Sequence, residues 1–168
     1  MMAARKTDPM REPATGRQVL VLGMGATGAS VARHLAARGM AAWFADTRAD
    51  PPGLAAIRAA MPGAGLVVGE IPATVPSGVS QVVVSPGADL HLPVIADARR
   101  RNLAVVSDLD LFAAQCHAPV LGITGSNGKS TVTSMVGAML AAGGWRAAVG
   151  GNLGTPALDL LQADARAY

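Results

Sequence analysis

The sequence predicts an α/β protein built on parallel strands and arranged in two successive units. Three observations carry that reading. Short apolar runs of strand length alternate with stretches of helical period, the pattern of repeated β-α-β units. The first run opens directly into Gly23-Met24-Gly25-Ala26-Thr27-Gly28. A later run, residues 120–123, leads into Gly125-Ser126-Asn127-Gly128-Lys129-Ser130-Thr131. In both places a glycine-bearing loop stands between a strand and a helix, where backbone N–H groups and a helix N-terminus converge on an anion.

The totals bound the answer. At 168 residues the chain is long enough for one domain, or for one domain and part of another. Hydrophobic residues make up 51% but aromatics only 3%, so the core must be built from Val, Leu, Ile, Met and Ala. The formal charge is +3, and the first 17 residues supply +2 of it through Arg5, Lys6, Arg11 and Arg17 against Asp8 and Glu12. The remaining body is close to neutral, which argues against a nucleic-acid partner. A single cysteine, Cys116, excludes an internal disulfide and fits a reducing cytosol. No apolar stretch approaches the ~18 residues of a membrane span, and no apolar segment follows the basic N-terminus. A cytoplasmic protein with no membrane partner is expected.

Residues 1–17 are polar and aperiodic, with Pro9, Pro13 and Gly16, and are expected to form a disordered tail. Gln18–Leu22 is a buried strand. The helix after Gly28 runs to about residue 38, with Val31, Ala32 and Leu35 on one face and Gly39 past its end. A second strand, residues 40–45, ends at Asp46-Thr47-Arg48. Strand, GxGxxG, helix, strand and acid complete a dinucleotide-type, Rossmann-like fingerprint, in which glycines admit a diphosphate and Asp46 accepts from a ribose. The competing reading is a phosphate-free turn whose Asp46 only caps the next segment.

A helix over residues 53–61 and a strand over 66–68 follow, then a proline-broken stretch to Gly78. The strand at 81–84 ends in Ser85-Pro86-Gly87, which the parallel topology puts on the same rim as Gly25 and Asp46. A helix over residues 93–101 ends in Arg99-Arg100-Arg101, a solvated C-terminus favoured by the helix dipole. A fifth strand covers 104–106 and a short helix 108–115. His34, His91 and His117 share no metal-ligand spacing. The first domain is thus expected over residues 18–116 and a second, incomplete one over 117–168.

The second unit opens with the strand at 120–123 and its loop. Lys129 would reach the outer phosphates of a nucleotide and Ser130 would hold Mg²⁺. The common phosphate-loop pattern asks for Gly where Ile123 stands, flanked here by Gly122 and Gly125. Against that departure, the chain has only two lysines, Lys6 and Lys129, and uses Arg for every other basic side chain. A compact ammonium is kept at the one place a phosphate loop needs it. The next helix aligns Val132, Met135, Val136, Met139 and Leu140 on one face and stops at Gly143-Gly144. A strand over 145–149 leads to Gly150-Gly151-Asn152-Leu153-Gly154, and Thr155-Pro156 opens a helix to about residue 162.

Taken as a set, Gly23 to Ser30, Asp46-Thr47-Arg48, Ser85-Pro86-Gly87, Ile123 to Thr131 and Gly151 to Gly154 resemble the Mur ligase family. That family's phosphate loop also reads Thr-Gly-[Ser/Thr]-Asn-Gly-Lys-[Ser/Thr], which accounts for Ile123. Within the family the set is most similar to the members that add D-glutamate to UDP-N-acetylmuramoyl-L-alanine in peptidoglycan synthesis. The resemblance implies a Rossmann-like domain followed by the first part of a P-loop ATPase-type domain. It implies that Gly25, Ala26 and Thr27 contact the diphosphate of the sugar nucleotide, while Asp46, Thr47, Arg48 and Gly87 surround uridine and ribose.

The same resemblance implies that Gly125, Ser126, Asn127, Gly128, Lys129, Ser130 and Thr131 hold ATP, with Lys129 catalytic, Ser130 on Mg²⁺ and Asn152 on the muramoyl substrate. It implies ATP-dependent amide formation through an acyl phosphate, by a protein that is a monomer at full length. The family's downstream metal-binding Glu and His, its carbamylated Lys and its third domain do not occur among these residues, so this stretch alone is expected to be inactive. The alternatives are an NAD-binding Rossmann module, a non-catalytic nucleotide-binding fragment and a sister Mur ligase.

Overall fold

The computed structural model describes residues 18–152, 154–161 and 164–168, so the expected tail over 1–17 lies outside the described residues. Two compact units divide between Ser107 and Asp108. The first alternates β1 (Gln18–Leu22), α1 (Ala26–Ala36), β2 (Ala41–Asp46), α2 (Leu54–Ala60), β3 (Gly65–Val68), β4 (Val79–Val84), α3 (Pro93–Arg100) and β5 (Ala104–Ser107). Every strand pairing is parallel, in the order β3-β2-β1-β4-β5. The expected Rossmann-like α/β sheet forms. β4 begins at Val79, ahead of the expected position 81, because Gln18 and Val79 still pair across a register shift.

Both faces of the sheet are covered, which is why its strands read as continuous apolar runs rather than alternating ones. Val19, Leu20, Val21 and Leu22 are each at most 1% exposed. Leu20, Leu22, Trp43, Ala45, Val82 and Val84 pack with Val94, Ile95 and Ala98 of α3. The alternate residues Val19, Val21, Phe44 and Val83 are equally buried on the opposite face. α1 buries Val31, Ala32 and Leu35, the face expected from their spacing. The polar end of Trp43 is satisfied, its Nε1–H donating to Gln18 Oε1 at 3.0 Å.

The strand order reverses at β1. The chain leaves it toward β2 and β3 on one side, and β4 and β5 extend the sheet on the other. Loops after β1 and β4 therefore diverge and leave a crevice beyond the strand ends, the usual ligand position in open α/β sheets.

The second unit departs from expectation. Neither 120–123 nor 145–149 forms a strand. Instead both regions hydrogen-bond to the segment 166–168: Leu121 N–H donates to Tyr168 O at 2.8 Å and Ala148 N–H to Ala167 O at 3.0 Å. A single parallel bridge joins Ala147 and Ala167. Among the described residues each stretch pairs with residues 166–168 alone, too short a partner for a continuous ladder. The expected helix after Thr155 is a 3₁₀ turn, Ala157–Leu160, since Pro156 is extended at ψ 150° and stands outside the turn. α4 (Asp108–Ala113), expected to close the first domain, packs against that turn.

α5 (Lys129–Ala142) forms as expected but buries none of its residues. Met139 is 70% exposed, Met135 59% and Val132 46%. Few buried contacts mean low local stability. Hydrogen-exchange protection across α5 is accordingly expected to fall well below that across β1, β2 and β4. Equal protection in the two regions would contradict this.

Candidate functional site

The crevice at the end of the first unit's sheet is a cleft of about 470 Å³. Its walls carry Gly25, Ala26 and Thr27 from the start of α1, Asp46, Thr47 and Arg48 after β2, and Ser85, Pro86 and Gly87 after β4. All seven residues assigned by sequence to the sugar nucleotide's diphosphate, ribose and base in this unit line one cavity. Gly23 also lines it, and so do two further residues, Ile71 and Ala88. Neither was legible beforehand, since Ile71 sits alone in a proline-broken stretch with no period.

The three glycines of the fingerprint have different physical duties. Gly23 turns the chain at φ +102°, and its N–H donates to Ala45 O at 2.8 Å while Ser85 N–H donates to Leu22 O at 3.0 Å. The turn is thus pinned to both neighbouring strands. A Cβ on Gly28 would lie 2.2 Å from Gly23 O, so helix and turn approach closely there. A Cβ on Gly25 would meet nothing within 4 Å, leaving open space at the start of α1. Backbone N–H groups with the positive end of the α1 dipole behind them suit an anion such as a diphosphate.

Asp46 is 4% exposed and fully engaged within the chain. Its Oδ2 accepts from Met24 N–H at 2.7 Å and from Arg48 Nη2 at 2.7 Å; its Oδ1 accepts from Arg48 N–H and Nε, both at 2.9 Å. A carboxylate offers about four lone-pair positions, and all are used. The ribose-accepting role read from the sequence therefore meets a carboxylate with no free acceptor. The group offered to the cleft is the Arg48 guanidinium, whose side chain is 52% exposed. Asp46 holds that fork as a bidentate pair.

The Arg48 hydrogen bond, aided by the Met24 and Arg48 N–H groups, holds the Asp46 carboxyl well below the usual carboxylate range despite its burial. Asp97 is lowered in the same direction, chiefly by the Val75 N–H. For both groups the folded pKa lies below the unfolded value of about 3.9. Their stabilisation is present above that pH and is lost as pH falls toward the folded values. The first unit is expected to lose stability below about pH 4, and Asp46→Asn should flatten that part of the profile. Thermal melts from pH 6 to pH 3 would check it; an unchanged profile in the variant would contradict it.

In the second unit, Gly128 adopts a left-handed conformation at φ 73° and ψ 0°, and α5 begins at Lys129 behind it. The Lys129 ammonium donates to Gly125 O and to Ser126 O, the latter at 3.3 Å, so it lies over its own loop. Ser130 and Thr131 follow in the first turn of α5. An ammonium, a helix N-terminus and glycine N–H groups fit a polyphosphate. Ser130 would give a magnesium ion one hydroxyl; among the described residues no group of three His, Cys, Asp or Glu gathers for a metal. Asn152 lines a mainly apolar cavity of about 310 Å³ in this unit, with Val136, Leu140 and Leu160.

A family model described as the Mur ligase MurD-like N-terminal domain matches residues 17–107. Similar curated proteins include the UDP-N-acetylmuramoylalanine–D-glutamate ligase of Nitrosococcus oceani, 49% identical over 151 residues, covering 90% of this chain and 33% of the relative. That of Pseudomonas aeruginosa is 46% identical over 149 residues, covering 89% and 33%. The chain spans about a third of the length of these relatives. Among solved structures, a pseudomurein peptide ligase type C from Methanothermus fervidus superposes with a TM-score of 0.52 at 22% identity, over 91% of this chain and 32% of that one. A murein peptide ligase from Psychrobacter arcticus gives 0.51 at 24%, over 90% and 32%. At such identities the likeness concerns the fold.

Proposed function

Because this chain belongs to the Mur ligases, with a MurD-like N-terminal domain over residues 17–107, we propose that its first unit binds UDP-N-acetylmuramoyl-L-alanine by the uridine diphosphate end. The whole protein then joins D-glutamate to that substrate at the expense of ATP, in cytoplasmic peptidoglycan synthesis. The observation that carries this is the cleft at the strand-order reversal, with the open Gly25 at one side and Arg48 at the other. Gly25, Ala26 and Thr27 receive the diphosphate on the N-terminus of α1, while Thr47, Arg48 and Gly87 enclose uridine and ribose.

In the second unit, residues Gly125 to Thr131 cradle the ATP phosphates, with Lys129 on the outer ones and Ser130 toward Mg²⁺. Bound ATP supplies the phosphoryl group that activates the substrate carboxylate. What the chain contributes is positioning and neutralisation of charge, the main demands of phosphoryl transfer. Asn152 contacts the muramoyl part.

The engaged Asp46 supports this reading over an NAD-binding module. Dinucleotide sites of that kind use the acid at this position for ribose hydroxyls, and here its acceptors are taken. Titrating the chain with UDP and with NAD, followed by amide NMR, tests the choice. UDP should shift the amides of Gly25, Asp46 and Gly87, and NAD should leave them nearly still. Tighter binding of NAD than of UDP would replace the ligase reading with the dehydrogenase-like one.

A further inference from the structure

Two walls of the first unit's cleft are joined by a clasp some way from the fingerprint glycines. One wall is the segment after β3, which carries Ile71 into the cavity. Its near end is tied to the nucleotide loop: Gly69 N–H donates to Arg48 O at 3.0 Å, and Glu70 bridges antiparallel to Asp46. Its far end is Val75, buried at 4% exposure. The other wall is the turn after β4, bearing Gly87 and Ala88, which continues into α3.

Both polar groups of Val75 are gripped by α3. Val75 N–H donates to Asp97 Oδ2 at 2.8 Å, and Arg101 Nη1 donates to Val75 O at 2.7 Å. Arg100 Nη2 donates to Asp97 Oδ1 at 2.6 Å, and Arg101 Nη1 stands 3.5 Å from Asp97 Oδ2. Side chains here do what a neighbouring strand would do for a loop that has none. Asp97 is the buried member, 6% exposed, and its orientation is fixed by an arginine on each oxygen. The basic run 99–101 is therefore not only a solvated helix end, because two of its members complete the clasp.

We propose that Asp97 and Arg101 are positioning residues for the base and ribose half of the cleft, holding the Ile71 wall against the Gly87 wall through Val75. The inference rests on the uridine diphosphate reading given above. Neither residue lines the cavity, so their effect passes through the segment they hold. Release of Val75 frees the Ile71 wall, which packs partly on the core beneath it. The diphosphate end is untouched, since the turn that leads into Gly25 to Thr27 is held separately, through Gly23 N–H on Ala45 O and Ser85 N–H on Leu22 O.

The test separates the two halves of the ligand. UDP and inorganic pyrophosphate are titrated into the full chain and its variants by amide NMR. Asp97→Ala should weaken UDP about tenfold and leave pyrophosphate within about twofold. Asp97→Asn, which keeps an acceptor for Val75 N–H, should recover most of the loss. Ile71→Ala leaves the clasp intact and should copy the Asp97→Ala selectivity, so it keeps the idea testable if Asp97→Ala does not fold. Equal losses for UDP and pyrophosphate would make Asp97 a stability residue only and overturn the proposal. So would UDP affinity unchanged in either Asp97→Ala or Ile71→Ala. Failure of the unaltered chain to bind UDP would instead overturn the nucleotide reading, and this proposal with it.

Discussion

Gly28→Ala is expected to lower the melting temperature of the first unit by roughly 8–16 °C. The new methyl would lie 2.2 Å from Gly23 O, a main-chain atom held by the sheet. Overpacking against an atom that cannot move away costs up to about 3 kcal/mol. Alanine returns about 1 kcal/mol of helix propensity at this position inside α1. The overlap wins, leaving a net loss of about 2 kcal/mol, and a unit of this size shifts by roughly 4–8 °C per kcal/mol. Gly25→Ala is the matched control. Its φ is −90° and its methyl would meet nothing within 4 Å, so stability should hold. That methyl would stand in the space assigned to the diphosphate and should weaken UDP instead. A melt that falls for Gly25→Ala and not for Gly28→Ala would reverse this division of duties.

Lys129→Ala is expected to weaken ATP binding by about 1.5–3 kcal/mol, the range for hydrogen bonds to a charged group. That corresponds to roughly ten- to a hundredfold in affinity. The ammonium's own bonds to Gly125 O and Ser126 O are given up when it turns to a phosphate, which favours the lower part of that range. Lys129→Arg should not restore binding, because a planar fork does not replace a compact ammonium on this loop. Calorimetry with Mg-ATP measures both variants. Unchanged affinity in Lys129→Ala would remove the phosphate role from this loop.

The first unit was legible because its signals are local. β1 and β2 are unbroken apolar runs, α1 shows its buried face at i, i+1 and i+4 through Val31, Ala32 and Leu35, and glycines mark the turns. Parallel topology then places every strand-end loop on one rim, which groups Gly25, Asp46 and Gly87 from their places in the sequence. The second unit was less legible. Val120–Ile123 is as apolar as β1, yet a strand depends on a partner, and apolar composition does not supply one.

What the sequence determined by itself was the α/β class, the two glycine-bearing loops ahead of α1 and α5 and the residues that line the cleft around the first of them, since spacing and backbone preference act over a few positions. Only the tertiary structure decided how those residues divide the work. The engagement of Asp46 by Met24 depends on the β1 turn lying beside β2. The presence of Ile71 in the cleft, and the hold of Asp97 and Arg101 on Val75, depend on α3 packing against the loop before β4. Hydrogen bonds across 22 and 26 residues of chain leave no periodic trace in the sequence, because they are selected by position in space.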